Sequence, residues 1–235
     1  MKVKHIILSL CSLISYTLFA QTPHPKVKVV GAMSNVMRKG QLYGTIYLDT
    51  LTHKKNLYGL GPKEFLKGEI LIVDGKSYVS SISENGEIKV EQTFDVKAPF
   101  FVYAPVTDWK AYKLPNGIKT LKQLEEFIDK KSKNKQRPFA FKLQGVFKKV
   151  AFHIQNLPEG VEVKSPKDAH TGQGKYERNV VNGTIIGFFS TQHQTIFTHH
   201  DTYIHMHYID DKNLEMGHVD DLLLGDHVIL YLPVY

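Results

Sequence analysis

Two dipeptides constrain this chain more than any other feature. Asp74-Gly75 stands between Glu69-Ile-Leu-Ile-Val73 and Lys76-Ser-Tyr-Val-Ser80, and Asn85-Gly86 stands just before Glu87-Ile-Lys-Val-Glu-Gln-Thr-Phe94. Such pairs tolerate positive φ at both central residues of a type I′ turn, whose twist matches that of two paired strands. With β-branched and alternating residues on either side, the spacing predicts an antiparallel meander with one buried face. Further strands are predicted over Ala98 to Val106, Phe139 to Gln155, Val180 to Ser190 and Tyr203 to Ile209. One helix is signalled by a capping box, Thr120 with Gln123, and by Leu121, Leu124, Phe127 and Ile128 along one face. A shorter helix follows Ser34 and closes near Gly40. The expected fold class is α+β (mixed α/β), with two β-rich subdomains, mixed sheets and a few helices.

The basic run from Lys130 to Arg137, followed by Pro138, is the best boundary between an N-terminal mixed-sheet half (27–135) and a C-terminal half (136–235). The same run also suits a helix C-terminus, where cations are favourable. With 235 residues, 42% of them hydrophobic, the chain can bury a core without disulfide or metal staples. Its formal charge of +7 comes almost wholly from scattered lysines. That distribution describes a solvated surface and speaks against a nucleic-acid partner.

Lys2 and Lys4 precede an apolar stretch, Ile6 to Ala20, that is short for a bilayer span. Residues 1–20 are therefore expected to be a signal peptide cut at Ala20-Gln21, although Leu18 at the −3 position is larger than usual. The mature protein is expected to be periplasmic or secreted, with no membrane attachment after cleavage. A lipid anchor on Cys11 is disfavoured by bulky Leu10 beside it. Cys11 is the only cysteine, so the mature chain has no thiol for disulfide, thiolate-metal or nucleophile chemistry.

Six of the 12 histidines fall within the 26 residues from His193 to His218. His205-Met206-His207 lies in a strand-like stretch, where alternate side chains share a face. Beyond the turn-like Asp210-Asp211-Lys212-Asn213, Gly217-His218 can return a third imidazole from an adjacent strand. Three neutral nitrogens at about 2.0–2.1 Å from Zn²⁺ leave at least one position open, as in catalytic zinc sites. An HxH pair alone is more readily satisfied by water or hydrogen bonds; the downstream histidine is what brings a metal site level with that reading. His199 and His200 are adjacent and would face opposite ways on a strand, which places them better in a loop near a mouth.

The order of several segments resembles the α-acetolactate decarboxylase family along almost the whole mature chain. They are Ala32-Met-Ser-Asn-Val-Met-Arg-Lys-Gly-Gln-Leu-Tyr-Gly44, Gly59-Leu-Gly61 and Lys67-Gly-Glu-Ile-Leu-Ile-Val-Asp-Gly75. Ala98-Pro-Phe100, Phe139-Ala-Phe-Lys-Leu-Gln-Gly-Val-Phe147 and Gly183-Thr-Ile-Ile-Gly-Phe188 follow. Last comes His205-x-His207 with His218 eleven residues on, the spacing of the family's zinc triad. The resemblance implies a two-domain mixed α/β fold holding one Zn²⁺ through these three histidines. It also implies conversion of 2-acetolactate to acetoin and carbon dioxide, with zinc as Lewis acid toward the substrate's hydroxyl and ketone oxygens.

By the same resemblance Glu69 handles protons or positions water, and the position of an active-site arginine falls on His153. A threonine of the family falls on Pro62, and no acidic residue follows Asp226 where the family brings another glutamate to its site. Two expectations follow. One is an exported zinc-dependent carboxy-lyase acting on a small hydroxy-keto acid, with homodimerisation left open. The other is a zinc-binding relative that has lost decarboxylation and serves as a ligand-binding module or acts on another hydroxy-ketone.

Overall fold

In the computed structural model, which describes residues 26–234, strands dominate and gather into two six-stranded sheets. The first sheet uses β1 (Lys28–Val30), β3 (Leu57–Pro62), β4 (Glu69–Val73), β5 (Lys76–Ile82), β6 (Ile88–Gln92) and β8 (Phe101–Pro105), in the order β1-β8-β3-β4-β5-β6. A small pair, β2 (Ile46–Tyr47) with β7 (Lys97–Ala98), stands beside it. The second sheet uses β9 (Trp109–Lys113), β10 (Phe139–Ile154), β11 (Gly174–Phe189), β12 (Ile204–Asp210), β13 (Met216–Leu224) and β14 (Ile229–Pro233). Helix α1 (Met33–Lys39), α2 (Leu121–Lys131), the single turn α3 (Pro166–Ala169) and two 3-10 turns, Leu48–Thr50 and Glu64–Leu66, complete the described elements.

The β4–β5–β6 meander forms as its turns predict, with one difference. Asp74 and Gly75 both have positive φ (47° and 77°), as a type I′ turn requires. At the second turn only Gly86 does, at 82°, and its N–H donates to the Ser83 carbonyl. That is a longer loop closing on a left-handed glycine, so Asn85 contributes side-chain hydrogen bonds rather than backbone freedom. The strand expected from Ala98 to Val106 is split, because Pro99 has no N–H to continue the ladder. Lys97–Ala98 pairs with β2, and Phe101–Pro105 joins the main sheet. Conversely β11 starts at Gly174, six residues before the expected Val180, since β10 pairs with it along its whole length.

The capping box at Thr120 and Gln123 is present, and Leu124 and Ile128 of α2 are fully buried against the second sheet. α1 closes on Gly40, which is left-handed at φ 62°. The chain passes from the first sheet to the second between Pro105 and Trp109. The basic run 130–137 thus begins in the last turn of α2, and both β9 and α2 already lie with the second sheet.

Strands β10, β11, β12 and β13 hydrogen-bond in a closed circuit, because β10 pairs with β11 on one edge and with β13 on the other. The two sheets face each other across a shared core that includes Leu60, Leu71 and Val102 from the first and Ile186, Ile209 and Met216 from the second. Side chains alternate along a strand, so Glu69 shares the inward face of Leu71, and His205 and His207 share that of Ile209. The polar cluster is therefore one end of the inter-sheet interface, and α1 with Phe100 packs beside it.

Candidate metal centre and its surroundings

The hairpin β12–β13 sets the first three donors. The Asp210 carboxylate accepts the N–H of Leu214 at 2.7 Å and of Glu215 at 2.9 Å, which fixes a register with His207 directly opposite His218. His205 and His207 share one face two residues apart, while Met206 and Tyr208 fill the core behind. All three imidazoles are buried, and one ligand atom from each lies within 4.8 Å of the others. His205 Nε2 and His218 Nδ1 are 3.0 Å apart. Two nitrogens on one tetrahedral zinc, at bond lengths of about 2.0–2.1 Å, stand roughly 3.3 Å apart.

The polar bookkeeping favours a cation. Neither ring nitrogen of His207, nor His205 Nδ1, makes a well-formed hydrogen bond; the Ile70 and Phe197 backbones offer His207 and His205 only weak contacts. Buried polar atoms left this way are costly, and a bound ion is one way to satisfy them. Burial pushes His207 down to about 3, with the nearby His153 adding to it. His205 and His218 are held well below the ordinary histidine range, first by burial and then by neighbouring histidines. All three are thus neutral near pH 7, the state in which a lone pair is free for a metal. The histidines fit a divalent ion.

Across the gap, Glu69 is only 2% exposed. Its Oε1 accepts the Gln155 N–H at 3.3 Å, and its Oε2 lies 3.6 Å from His207 Nε2. Burial raises its pKa well above the usual carboxyl range, the Gln155 N–H opposing this and Asp220 adding to it. The structure brings Glu69, 136 residues away in sequence from His205, to the same cluster as the triad.

His153 also reaches it. β10 lies beside β13 with His153 paired to His218, their rings 4.7 Å apart. That closeness depends on Gly217, where a Cβ would stand 2.5 Å from the His153 carbonyl oxygen. A register shift opposite Ala151 and Phe152 leaves Asp220 unpaired in the ladder, and such bulges re-aim side chains. His153 Nδ1 donates to Asp220 Oδ1 at 2.7 Å, so its Nε2 is the atom that faces Glu69 Oε1, 3.9 Å away. Together His153, His218 and Asp220 make a second, overlapping set of donors.

Pro62 lines the same pocket, with Phe100, Met33 and Met37. His199 belongs there too, its ring 5.5 Å from His218, whereas His200 is exposed and lines only a neighbouring cavity. Sequence reasoning missed Asp220, Gln155 and His170. Asp220 lies two residues after His218, a signal readable only once that strand and its bulge are known.

The sequence profile described as alpha-acetolactate decarboxylase matches residues 30–232. The chain belongs to this family. Among its relatives, the alpha-acetolactate decarboxylase of Streptococcus thermophilus is 28% identical over 202 residues, covering 83% of this chain and 81% of that protein. That of Brevibacillus brevis is 27% identical over 222 residues, covering 92% and 73%. The fold is shared with crystal structures of the acetolactate decarboxylase of Bacillus subtilis subspecies spizizenii (TM-score 0.71, 24% identity, 89% of this chain and 86% of that one). It is shared also with a Staphylococcus aureus protein described as of unknown function and similar to alpha-acetolactate decarboxylase (TM-score 0.68, 21% identity, 88% and 85%). Family membership and the buried histidine triad together make this a decarboxylase-like scaffold with a candidate metal centre.

Proposed function

We propose that the protein is an exported, zinc-dependent carboxy-lyase that converts 2-acetolactate, or a close hydroxy-keto acid, to acetoin and carbon dioxide. The observation that carries this reading is the trio of buried, neutral imidazoles, with nitrogens of His205 and His207 lacking well-formed hydrogen bonds, set opposite a buried carboxyl group. Zinc held by His205, His207 and His218 would supply Lewis acidity toward the substrate's hydroxyl and ketone oxygens.

The remaining work falls to the chain. When the bond to the carboxylate breaks, its electron pair moves toward the ketone and carbon dioxide leaves. A proton must then be placed on the carbon that lost it. Glu69 is suited to deliver that proton, because burial favours its protonated form. The Asp220 carboxylate fixes the tautomer of His153 and leaves Nε2 to orient substrate or Glu69. Phe100, Met33 and Met37 keep bulk water from the reacting atoms.

The apolar stretch within 1–20 supports export, and those residues lie outside the described ones. The partner is a small acid rather than nucleic acid or membrane. One observation favours a second reading, a zinc-binding relative without decarboxylation or one acting on another hydroxy-ketone. His153 is committed to Asp220 and does not offer the permanent fork of donors that an arginine would. Metal analysis of the purified protein and acetoin formation from racemic 2-acetolactate decide between them. The expected result is one zinc per chain, with activity lost to a chelator and restored by zinc. Zinc without acetoin selects the second reading, and a protein that takes up no zinc overturns both.

A further inference from the structure

The pocket in front of the triad encloses only about 20 Å³, room for roughly one water. Any hydroxy-keto acid that reaches the histidines must therefore extend into adjoining space. Two larger cavities adjoin it. One, about 200 Å³, shares His199 and His218 with the pocket and is flanked by Asp201 and Asp220, which repel an anion. The other, about 190 Å³, shares Met33, Met37, His170 and His199 with the pocket. Met33, Met37 and Pro166 make its wall apolar, and flexible thioethers adapt to varied apolar shapes.

At the rim of this second cavity lies Arg38, exposed and with no hydrogen bond or ion pair among the described residues. It is the only Lys or Arg that lines any of the three cavities. A guanidinium is always charged and binds carboxylates through two parallel hydrogen bonds.

We infer that this cavity is a second subsite, contiguous with the histidine triad, that takes the apolar arm of a hydroxy acid larger than acetolactate and binds an anion at the arm's far end through Arg38. The assignment rests on the proposed carboxy-lyase reading for the near end of the ligand and specifies its substrate class. Each methylene buried along the arm should tighten binding about fourfold.

Calorimetric titration of the zinc-loaded full chain tests this with acids that lack a ketone and cannot decarboxylate. The probes are 2-hydroxy-2-methylpropanoate, 2-hydroxy-2-methyloctanoate and 2-hydroxy-2-methyloctanedioate. The octanoate should bind at least about tenfold more tightly than the propanoate, and the dioate about tenfold more tightly again. Arg38→Ala should remove the dioate's advantage over the octanoate, and Arg38→Lys should restore part of it. Ser34→Trp, which narrows this cavity from a residue that does not line the pocket at the triad, should remove the advantage of both long acids and spare the propanoate. Equal affinity for the three acids, or one equal loss for all three in Arg38→Ala, overturns the subsite, whether or not acetolactate is decarboxylated. Arg38-dependent binding of the dioate without turnover of any keto acid upholds the subsite and overturns the carboxy-lyase reading.

Discussion

The two walls of the pocket are built on different plans. One wall is a single hairpin, β12–β13, whose three histidines span 14 residues and whose register is held by the Asp210 turn. The other is assembled from β3, β4, α1 and the segment at Phe100, with Glu69, Pro62 and Met33 arriving from separate parts of the chain. A local hairpin can hold a metal geometry almost independently of its surroundings. The composite wall depends on how two sheets pack, and it can change residue by residue without disturbing the donors. His153 and Pro62 lie outside the hairpin, while the three histidines stand together inside it.

The comparison breaks most sharply at the hairpin. His205→Ala, His207→Ala and His218→Ala should each reduce zinc affinity by more than the roughly 10–100-fold that a supporting residue costs, and acetoin formation with it. Metal analysis after dialysis measures this. If all three variants keep full zinc while His199→Ala loses it, the hairpin is not the metal wall.

Changes on the composite wall should leave zinc in place. Glu69→Gln removes the proposed proton donor but keeps the shape, and acetoin formation should fall about 10²–10⁴-fold with metal content unchanged. An accompanying loss of zinc would make Glu69 part of the metal-holding wall instead. On the hairpin itself, Asp220→Asn frees the His153 tautomer without removing a triad histidine, and should cost about tenfold in kcat with little change in zinc, read by steady-state kinetics beside metal analysis.

The smallest effect concerns stability. Burial raises the Glu69 carboxyl in the metal-free protein, so the folded state favours its protonated form. The stability this contributes is complete below the unfolded pKa and is lost as pH rises through the folded one. Metal-free Glu69→Gln should therefore melt above the wild type at pH 8, by about 2–4 °C for each kcal/mol relieved, and match it below pH 4. Zinc reverses the sign at pH 8, because a nearby cation favours the carboxylate. Thermal melts with chelator and with zinc separate the two cases.

What local chemistry dictates was legible in the residues. Asp74-Gly75 predicts its hairpin, Thr120 with Gln123 predicts where α2 begins, and His205, His207 and His218 predict three donors on paired strands. Each depends on a repeat of two or 3.6 residues, or on one turn, and the chain carries that information within a few positions. The type of the second turn was less legible, because Asn-Gly fits more than one loop and hydrogen bonds from Ser83 select among them. The break at Pro99 was hidden in a continuous apolar run.

Other features exist only because the sheets pack. Glu69 opens a strand just after Lys67-Gly68, where nothing local demands burial, yet it is buried, because its inward face meets β12 and Gln155. The partnership of His153 with Asp220 requires a bulge in β13 and the close approach permitted by Gly217. Arg38 meets the cavity beside the pocket only through the placement of α1 there. Those contacts join residues far apart in the chain, and no local periodicity specifies which distant strand or helix will face them. The three-histidine hairpin was therefore written in the sequence, whereas the carboxyl that faces it and the cavity beside it were decided by the tertiary structure.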